Sequence, residues 1–260
     1  LHSKPYQFAK LSNRFDIPPV TNESWSEIII SLYPKSTKLG NITKRISLGL
    51  RVKSVDEDVS SQEGKNFPDP IFLGSEIKRY GPLQPSRYFN FKTVSIIGGT
   101  RSKDFYSQKP KILLQSIRNL TLERRLVPVV DQEGYFFGGN VTGILLKEKA
   151  LIDVHYVQSI LSSNLINNFF KHRFITISLT STFLSEIPIR DIPFTTPEDE
   201  RTAHVQELID TYEQTRSANA DPTANEVLHE VEAHLAGDPE RADVIHDLLA
   251  HLAREMTRLK

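Results

Sequence analysis

The sequence contains no cysteine. Disulfides, thiol nucleophiles and Cys-ligated zinc are therefore excluded. A reducing, intracellular setting is compatible with that absence without following from it. No run of about 18 apolar residues occurs, so no membrane-spanning helix is expected. The first residues lack the basic-then-apolar order of a secretory signal. There is no initiator methionine at Leu1, and the expectation is a piece of a longer polypeptide. No G-x-x-x-x-G-K-[ST] phosphate loop is present. "IIGGT" and "FFGGN" carry paired glycines but not the G-x-G-x-x-G order, and read as tight turns between strands.

What is present has the composition of a globular protein, 38% hydrophobic and 25% charged over 260 residues. Lys+Arg and Asp+Glu balance at 32 each, but the balance is uneven along the chain. Residues 197–260 hold 6 basic and 15 acidic side chains, a surplus of −9, which leaves +9 on residues 1–196. Residues 73–125 alone hold 11 basic and 3 acidic side chains. Such a block is either a solvated basic face or the footprint of a polyanion.

The fold class expected is α+β, in three parts. Residues 1–38 read as a lead-in segment or linker from a missing catalytic part, with "FDIPPV" and "YPKS" as breakers around one short amphipathic helix, "NESWSEIIISLY". Residues 39–196 read as a mainly β domain. Short β-branched and aromatic runs ("RISLGLRV", "DPIFLG", "RYFNF", "TVSIIG", "KILLQSI", "RLVPVV", "GYFFGG", "VTGILLK") recur between turn residues. "DQEG" (131–134) looks like a hairpin turn. One helical interval, "DVHYVQSILSSNLINNFFKHRF", starts at the N-cap Asp153, and Ser162-Ser163 is expected to split it. Residues 197–260 read as an acidic tail of three helices, in a bundle or packed on the β domain. Each start pairs a small polar cap with a proline: Thr196/Pro197, Asp221/Pro222 and Asp238/Pro239.

Several fragments imitate catalytic motifs. In "PDPIFLGSEIKRY" (68–80), Asp69 and Glu76-x-Lys78 use the residue types of a metal-dependent nuclease. Six residues between the carboxylates leave little room for two strands and a turn, and Pro68 and Pro70 disfavour a paired strand at Asp69. "HEVEAH" is similar to the H-E-x-x-H zinc motif, but His229 and His234 are five residues apart, about 140° around a helix. They read as solvated polar residues, as do His246 and His251. Ser116 and His155 are the nearest approach to a nucleophile and base. The remaining constellation is basic and polar. "SEIKRYGPLQPSRYF", "GGTRSKDFYSQKPK" and "QSIRNLTLERR" set Arg and Lys beside Gln, Asn, Ser and Tyr around β turns, side chains suited to phosphates and base edges.

The phrases "LGNITKRISLGL", "FLGSEIKRYGP", "KPKILLQSI", "RRLVPVVDQEGYFFGGNVTGILL", "YVQSILSSNLINNFFKHR" and "FLSEIPIRDIPF" follow one another along the chain. Together they resemble the TaqI-type specificity domain, the target-recognition domain of type IIG restriction–modification enzymes and related adenine-specific DNA methyltransferases, over roughly residues 25–196. The family's G-x-D-I-x-R-Y phrase is met by Gly74, Glu76, Ile77, Arg79 and Tyr80, with Glu where Asp is usual. Its L-x-S-x-L-I-N helix is met by Leu161, Ser163, Leu165, Ile166 and Asn167, in a packing role.

The resemblance implies a reader of double-stranded DNA in the prokaryotic cytoplasm. The base-reading candidates are Arg79, Gln115, Arg118, Asn119, Arg124 and Arg125. The phosphate candidates are Lys78, Arg101, Lys103, Lys109 and Lys111. The family's catalytic Asn-Pro-Pro-aromatic motif is absent, "IPPV" at 17–20 lacking the asparagine. No cofactor is expected in this segment. S-adenosylmethionine and magnesium belong to methyltransferase or endonuclease parts, in cis or on a partner chain. The alternatives are a protein-interaction module of a phage-defence system and a divergent metal-dependent nuclease.

Overall fold

A computed structural model describes Ile28, residues 31–217 and residues 226–260. The lead-in prolines Pro18 and Pro19, most of "NESWSEIIISLY", and the Asp221/Pro222 helix start lie outside the described residues. The elements run β1 (Ser36–Lys38), α1 (Leu39–Ile42), β2 (Thr43–Leu48), β3 (Arg51–Val52), α2 (Val55–Asp58), β4 (Val59–Ser60), β5 (Asp69–Phe72), β6 (Tyr88–Phe89), β7 (Ile96–Gly98), α3 (Lys103–Ser107) and β8 (Lys111–Gln115). They continue with β9 (Pro128–Asp131), β10 (Phe136–Phe137), β11 (Val141–Leu146), α4 (Val154–Ser162), α5 (Asn164–Arg173), α6 (Ser181–Ser185), β12 (Pro188–Arg190), α7 (Glu198–Ser217), α8 (Glu226–Ala236) and α9 (Ala242–Arg258). The class is α+β, and each of the eight apolar runs contributes a strand.

The central sheet is antiparallel in the order β2-β11-β8-β9. Its period-2 alternation serves two cores. Ile112 and Leu114 of β8, Val130 of β9 and Ile144 of β11 pack with Tyr156, Val157, Leu161, Phe169 and Phe170 of α4 and α5. Leu113, Val129, Val141 and Leu145 face the other way, onto Phe72, Phe89, Phe105, Tyr106, Phe136 and Phe137. That is why "KILLQ" is a continuous apolar run: β8 is covered on both faces. The second sheet, β10-β5-β6-β4, supplies part of this aromatic layer. "RISLGLRV" breaks between β2 and β3 because the chain passes against the β10 end at Gly49. A Cβ there would lie 2.2 Å from the Phe137 carbonyl oxygen.

"DQEG" turns, but it does not join a hairpin. β9 pairs with β8, whereas β10 leaves for the second sheet and pairs in parallel with β5. The Asp131 carboxylate holds this turn by accepting from the Glu133 and Gly134 N–H groups, each at 2.9 Å, and from Tyr135 N–H at 3.0 Å. Gly134, at φ +87°, supplies the left-handed residue that the turn requires.

The helical interval splits as its serines imply. Asp153 caps α4 through His155 N–H at 2.7 Å, and Ser163 caps α5 through Ile166 N–H at 3.1 Å. The cap expectations for the tail are corrected at two starts. Thr196 gives its N–H and its hydroxyl to the Asp243 carboxylate, both at 2.8 Å, so its side chain holds α9 and does not cap α7. Asp238 and Pro239 precede α9 without capping it. Arg241 N–H turns back to the His234 carbonyl of α8 at 2.9 Å, and the helix begins at Ala242. α9 packs along α4, with Ala250 in the shared core and the His246 ring 4.5 Å from that of Tyr156. Leu208 of α7 and Val244 and Leu248 of α9 form the core of the helical region.

Buried His155 fills a slot at the start of α4. Nδ1 lies 3.1 Å from Gln158 Oε1, and Nε2 lies 3.0 Å from Gln132 Nε2, contacts that suit a neutral ring. Ser116 is not among the partners of the ring, so the two form no nucleophile–base pair. Burial lowers the His155 pKa below 6.5. The unfolded chain therefore takes up the proton first as pH falls. The contribution of His155 to stability is complete above its unfolded pKa and is lost as pH drops through the folded value. Urea midpoints should fall between pH 7.5 and 5.5, and His155→Gln should flatten part of that fall. An equally steep fall in the variant would remove His155 as a source.

Candidate nucleic-acid interface

The basic residues singled out above separate into an internal pair and two surface groups, one around the Gln115 end of β8 and one on the segment that precedes β8. At the Gln115 end, the chain after β5 makes a short 3₁₀ turn, Gly74–Glu76, docked on Asn140. Gly74 N–H donates to Asn140 Oδ1 at 2.9 Å, and Ser116 N–H to the Asn140 carbonyl at 2.8 Å. Ile77 anchors inside, Lys78 is exposed, and Tyr80 N–H reaches the Pro128 carbonyl at 3.4 Å. Residues 77–80 form no strand.

Three guanidiniums converge here on main-chain oxygens. Arg79 Nη1 and Arg124 Nη1 both donate to the Ser162 carbonyl at the C-terminal end of α4, at 3.3 and 3.1 Å. The negative end of a helix favours cations. Arg124 Nη2 also donates to Asn164 Oδ1 at 2.7 Å. Arg118 Nε donates to the Arg124 carbonyl at 3.0 Å, closing the loop 118–124, and its Nη1 donates to Gln115 Oε1. Asn119 heads the same loop, its Oδ1 accepting from Thr121 N–H at 3.1 Å. Lys78, Arg79, Gln115, Arg118, Asn119 and Arg124 thus share one end of the sheet. Among the described residues, none of Arg79, Arg118 and Arg124 forms an ion pair. Their positive charge is left uncompensated among the described residues. Partial burial moves Arg118 below the ordinary arginine pKa.

Two assignments are corrected. Lys111 is 0% exposed and cannot meet a phosphate. Its ammonium lies 2.7 Å from the equally buried Asp131, and burial lowers its pKa against the opposing pull of that carboxylate. Arg125 is also 0% exposed and cannot read a base. Its N–H donates to Asn167 Oδ1 at 2.6 Å, and its Nη2 donates to the Thr176 carbonyl. Burial and the neighbouring Arg118 guanidinium lower its pKa. Arg101, Lys103 and Lys109 are exposed along the segment that runs from Thr100, bonded to the Leu48 carbonyl of β2, through α3 to the start of β8.

Asn164 and the polar role of Asn167 were missed by sequence reasoning. The amide of Asn167 is buried and bridges Arg125 N–H, Leu126 N–H and the Glu123 carbonyl, so it fixes the root of the 118–124 loop. Its signal was available: an asparagine within the apolar stripe of a helix must find polar partners. The anchoring oxygen of Ser162 is main chain and has no sequence signal.

The nuclease look-alike carboxylates have structural partners. Asp69 Oδ2 accepts from Phe91 N–H at 2.9 Å. Glu76 closes the 3₁₀ turn through Leu73 N–H at 2.7 Å, and it also meets Ser86 and Arg87. Among the described residues, no group of three or more His, Asp or Glu is placed to hold a metal ion. No described helix is long and apolar enough to cross a membrane.

Residues 69–189 match the model of the TaqI-like C-terminal specificity domain, a narrower stretch than the quoted phrases cover. No curated protein sequence matches the chain. Among solved structures, the HsdS subunit from Thermoanaerobacter tengcongensis shares 13% identity at a TM-score of 0.44, over 91% of this chain and 51% of that one. The S subunit of a type I restriction-modification system from M. genitalium shares 15% at 0.37, over 70% and 42%. The type IIL restriction-modification enzyme MmeI, solved in complex with DNA, shares 12% at 0.35, over 83% and 33%. The chain therefore spans about half or less of the length of these proteins. These likenesses are loose, and the family assignment rests on the sequence match. Residues 69–189, which contain the whole arginine cluster, are thus the part of the chain that matches a TaqI-like C-terminal specificity domain.

Proposed function

We propose that the chain recognises a specific sequence in double-stranded DNA, as the target-recognition part of a restriction–modification enzyme that methylates adenine or cleaves. The observation that carries this is the arginine cluster. Within the specificity domain, Arg79, Arg118 and Arg124 are oriented by main-chain carbonyls and neutral amides, and among the described residues none is neutralised by a carboxylate. Guanidiniums held in that way keep their charge and part of their donor set for an outside partner. Phosphates supply the counter-charge, and guanine edges match a guanidinium fork. Lys78, beside the cluster, and Arg101, Lys103 and Lys109, on the segment before β8, would contact the backbone and set register. Gln115 and Asn119 would read or orient beside Arg118. Chemistry on the DNA, with S-adenosylmethionine and magnesium, belongs to a methyltransferase or endonuclease part in cis or on a partner chain.

The test is a salt titration of duplex binding in the presence of random competitor. The affinity should fall linearly in log–log form, with a slope of about −0.9 per phosphate neutralised. A selected duplex should resist excess random DNA at salt where unspecific binding has gone. If no sequence survives competition, the DNA-reader assignment fails and an interaction module becomes the better reading.

A further inference from the structure

Beside the arginine cluster lies an apolar surface that folding does not use. Ile175 is 87% exposed, and Ile117, Leu120, Leu122 and Ile177 are also exposed. A single exposed isoleucine is ordinary, but a group of five aliphatic side chains on two joined segments is not. The segments are fixed to each other. Ile117 pairs with Ser178 in a β-bridge, Arg118 N–H donates to the Ile177 carbonyl at 3.0 Å, and Leu179 N–H donates to the Ser116 carbonyl at 2.7 Å. The buried Arg125 pins the Thr176 carbonyl from beneath. Leu120 and Leu122 ride on the loop that Arg118 closes through the Arg124 carbonyl. The surface is thus a held ridge, and its segments adjoin those that carry the uncompensated guanidiniums.

We propose that this ridge, with Ile175 and Ile177 at its crest, packs on thymine methyl groups in the major groove of the duplex that the arginine cluster engages. The inference rests on the DNA-reading function and adds the chemical group that the ridge recognises. The charge arrangement favours this occupant. A protein partner would have to bring carboxylates to the guanidiniums and apolar side chains to the ridge. Duplex DNA offers both features together, phosphates at the groove edge and the C5 methyl of thymine on its floor. The ridge explains how a surface rich in arginine, which favours guanine, could also register A·T pairs.

The experiment uses the full chain and duplexes it selects from a random library, each remade with deoxyuridine for every thymine. Removing the methyl should weaken wild-type binding about fourfold per contacted thymine, the value of one buried methyl group. The variant carrying Ile175→Ala and Ile177→Ala changes exposed side chains only. It should bind the thymine duplex about as weakly as the wild type binds the uracil duplex, and should be nearly indifferent to the exchange. Equal wild-type affinity for both duplexes overturns the proposal, as does a methyl penalty that persists undiminished in the variant. Selected duplexes without A·T pairs in their protected region overturn it too, while leaving DNA reading intact. If no duplex is selected at all, the reading beneath it falls as well, and the ridge passes to a protein partner.

Discussion

Replacing Asp131 by alanine should cost about 3–5 kcal/mol, the usual penalty for removing one partner of a buried ion pair. Domain stabilities are only about 5–15 kcal/mol, so the loss would take a third or more of the stability of a typical domain and nearly all of it at the low end of that range. The effect is large because the carboxylate has two tasks. It neutralises Lys111 at 2.7 Å where both side chains are 0% exposed. It also accepts the three N–H groups that hold the turn carrying the chain from the central sheet into the second one. Alanine would strand an ammonium whose other contacts are the carbonyls of Tyr106 and Gln108. Lys111→Met should cost less, since methionine carries no charge to strand and Asp131 would keep its three N–H donors. Adding Lys111→Met to Asp131→Ala should recover part of the loss. Urea unfolding followed by circular dichroism gives the three midpoints. An Asp131→Ala cost below about 1 kcal/mol, the range of exposed pairs, would show that water reaches the pair.

This pair also marks where sequence reasoning stopped. Lys111 stands in a basic block, and its neighbour Lys109 is exposed, so net charge counted both alike. What separates them is strand parity combined with burial on both faces of β8, and only the tertiary fold supplies the second condition. Arg125 misled for a related reason. It follows Arg124 and looks equivalent, but adjacent positions point apart, one to the α4 terminus and one inward to Thr176. The strands within the eight apolar runs were legible, because β-branched runs and turn residues act locally, whereas the short β1, β4 and β12 carry no such run. The connection after "DQEG" was not, because which sheet β10 joins depends on its parallel partner β5, more than 60 residues earlier in the chain. Arg79, Arg118 and Arg124 were legible as residue types. The meeting of Arg79 and Arg124 on one carbonyl of α4 was not, since a main-chain oxygen leaves no mark on composition.

Arg118→Ala should weaken binding to the preferred duplex by about 1–3 kcal/mol, or roughly 5- to 150-fold, the range for one bidentate base contact. Arg118 is the residue whose loss should be felt most. Its Nη2 has no protein partner among the described residues, while its Nε and Nη1 are fixed by the Arg124 carbonyl and Gln115. The fork is therefore oriented before DNA arrives, and little side-chain entropy remains to be lost on binding. Removing it also opens the 118–124 loop, so the apolar crest beside it would lose its support. Arg101→Ala and Lys103→Ala provide the contrast. Exposed and held by no base-oriented contact, these side chains should matter equally for every sequence, and removing either should reduce the salt slope by about one for each phosphate left without its cation. Competition binding of preferred against random duplex, repeated at several salt concentrations, separates the two behaviours. Arg118→Ala should lower the preferred-to-random ratio, whereas Arg101→Ala should leave that ratio in place and flatten the slope. If Arg118→Ala kept the ratio of the wild type, base reading would have to move to Arg79 or Arg124, whose guanidiniums share the Ser162 carbonyl and hold the remaining donors of the cluster.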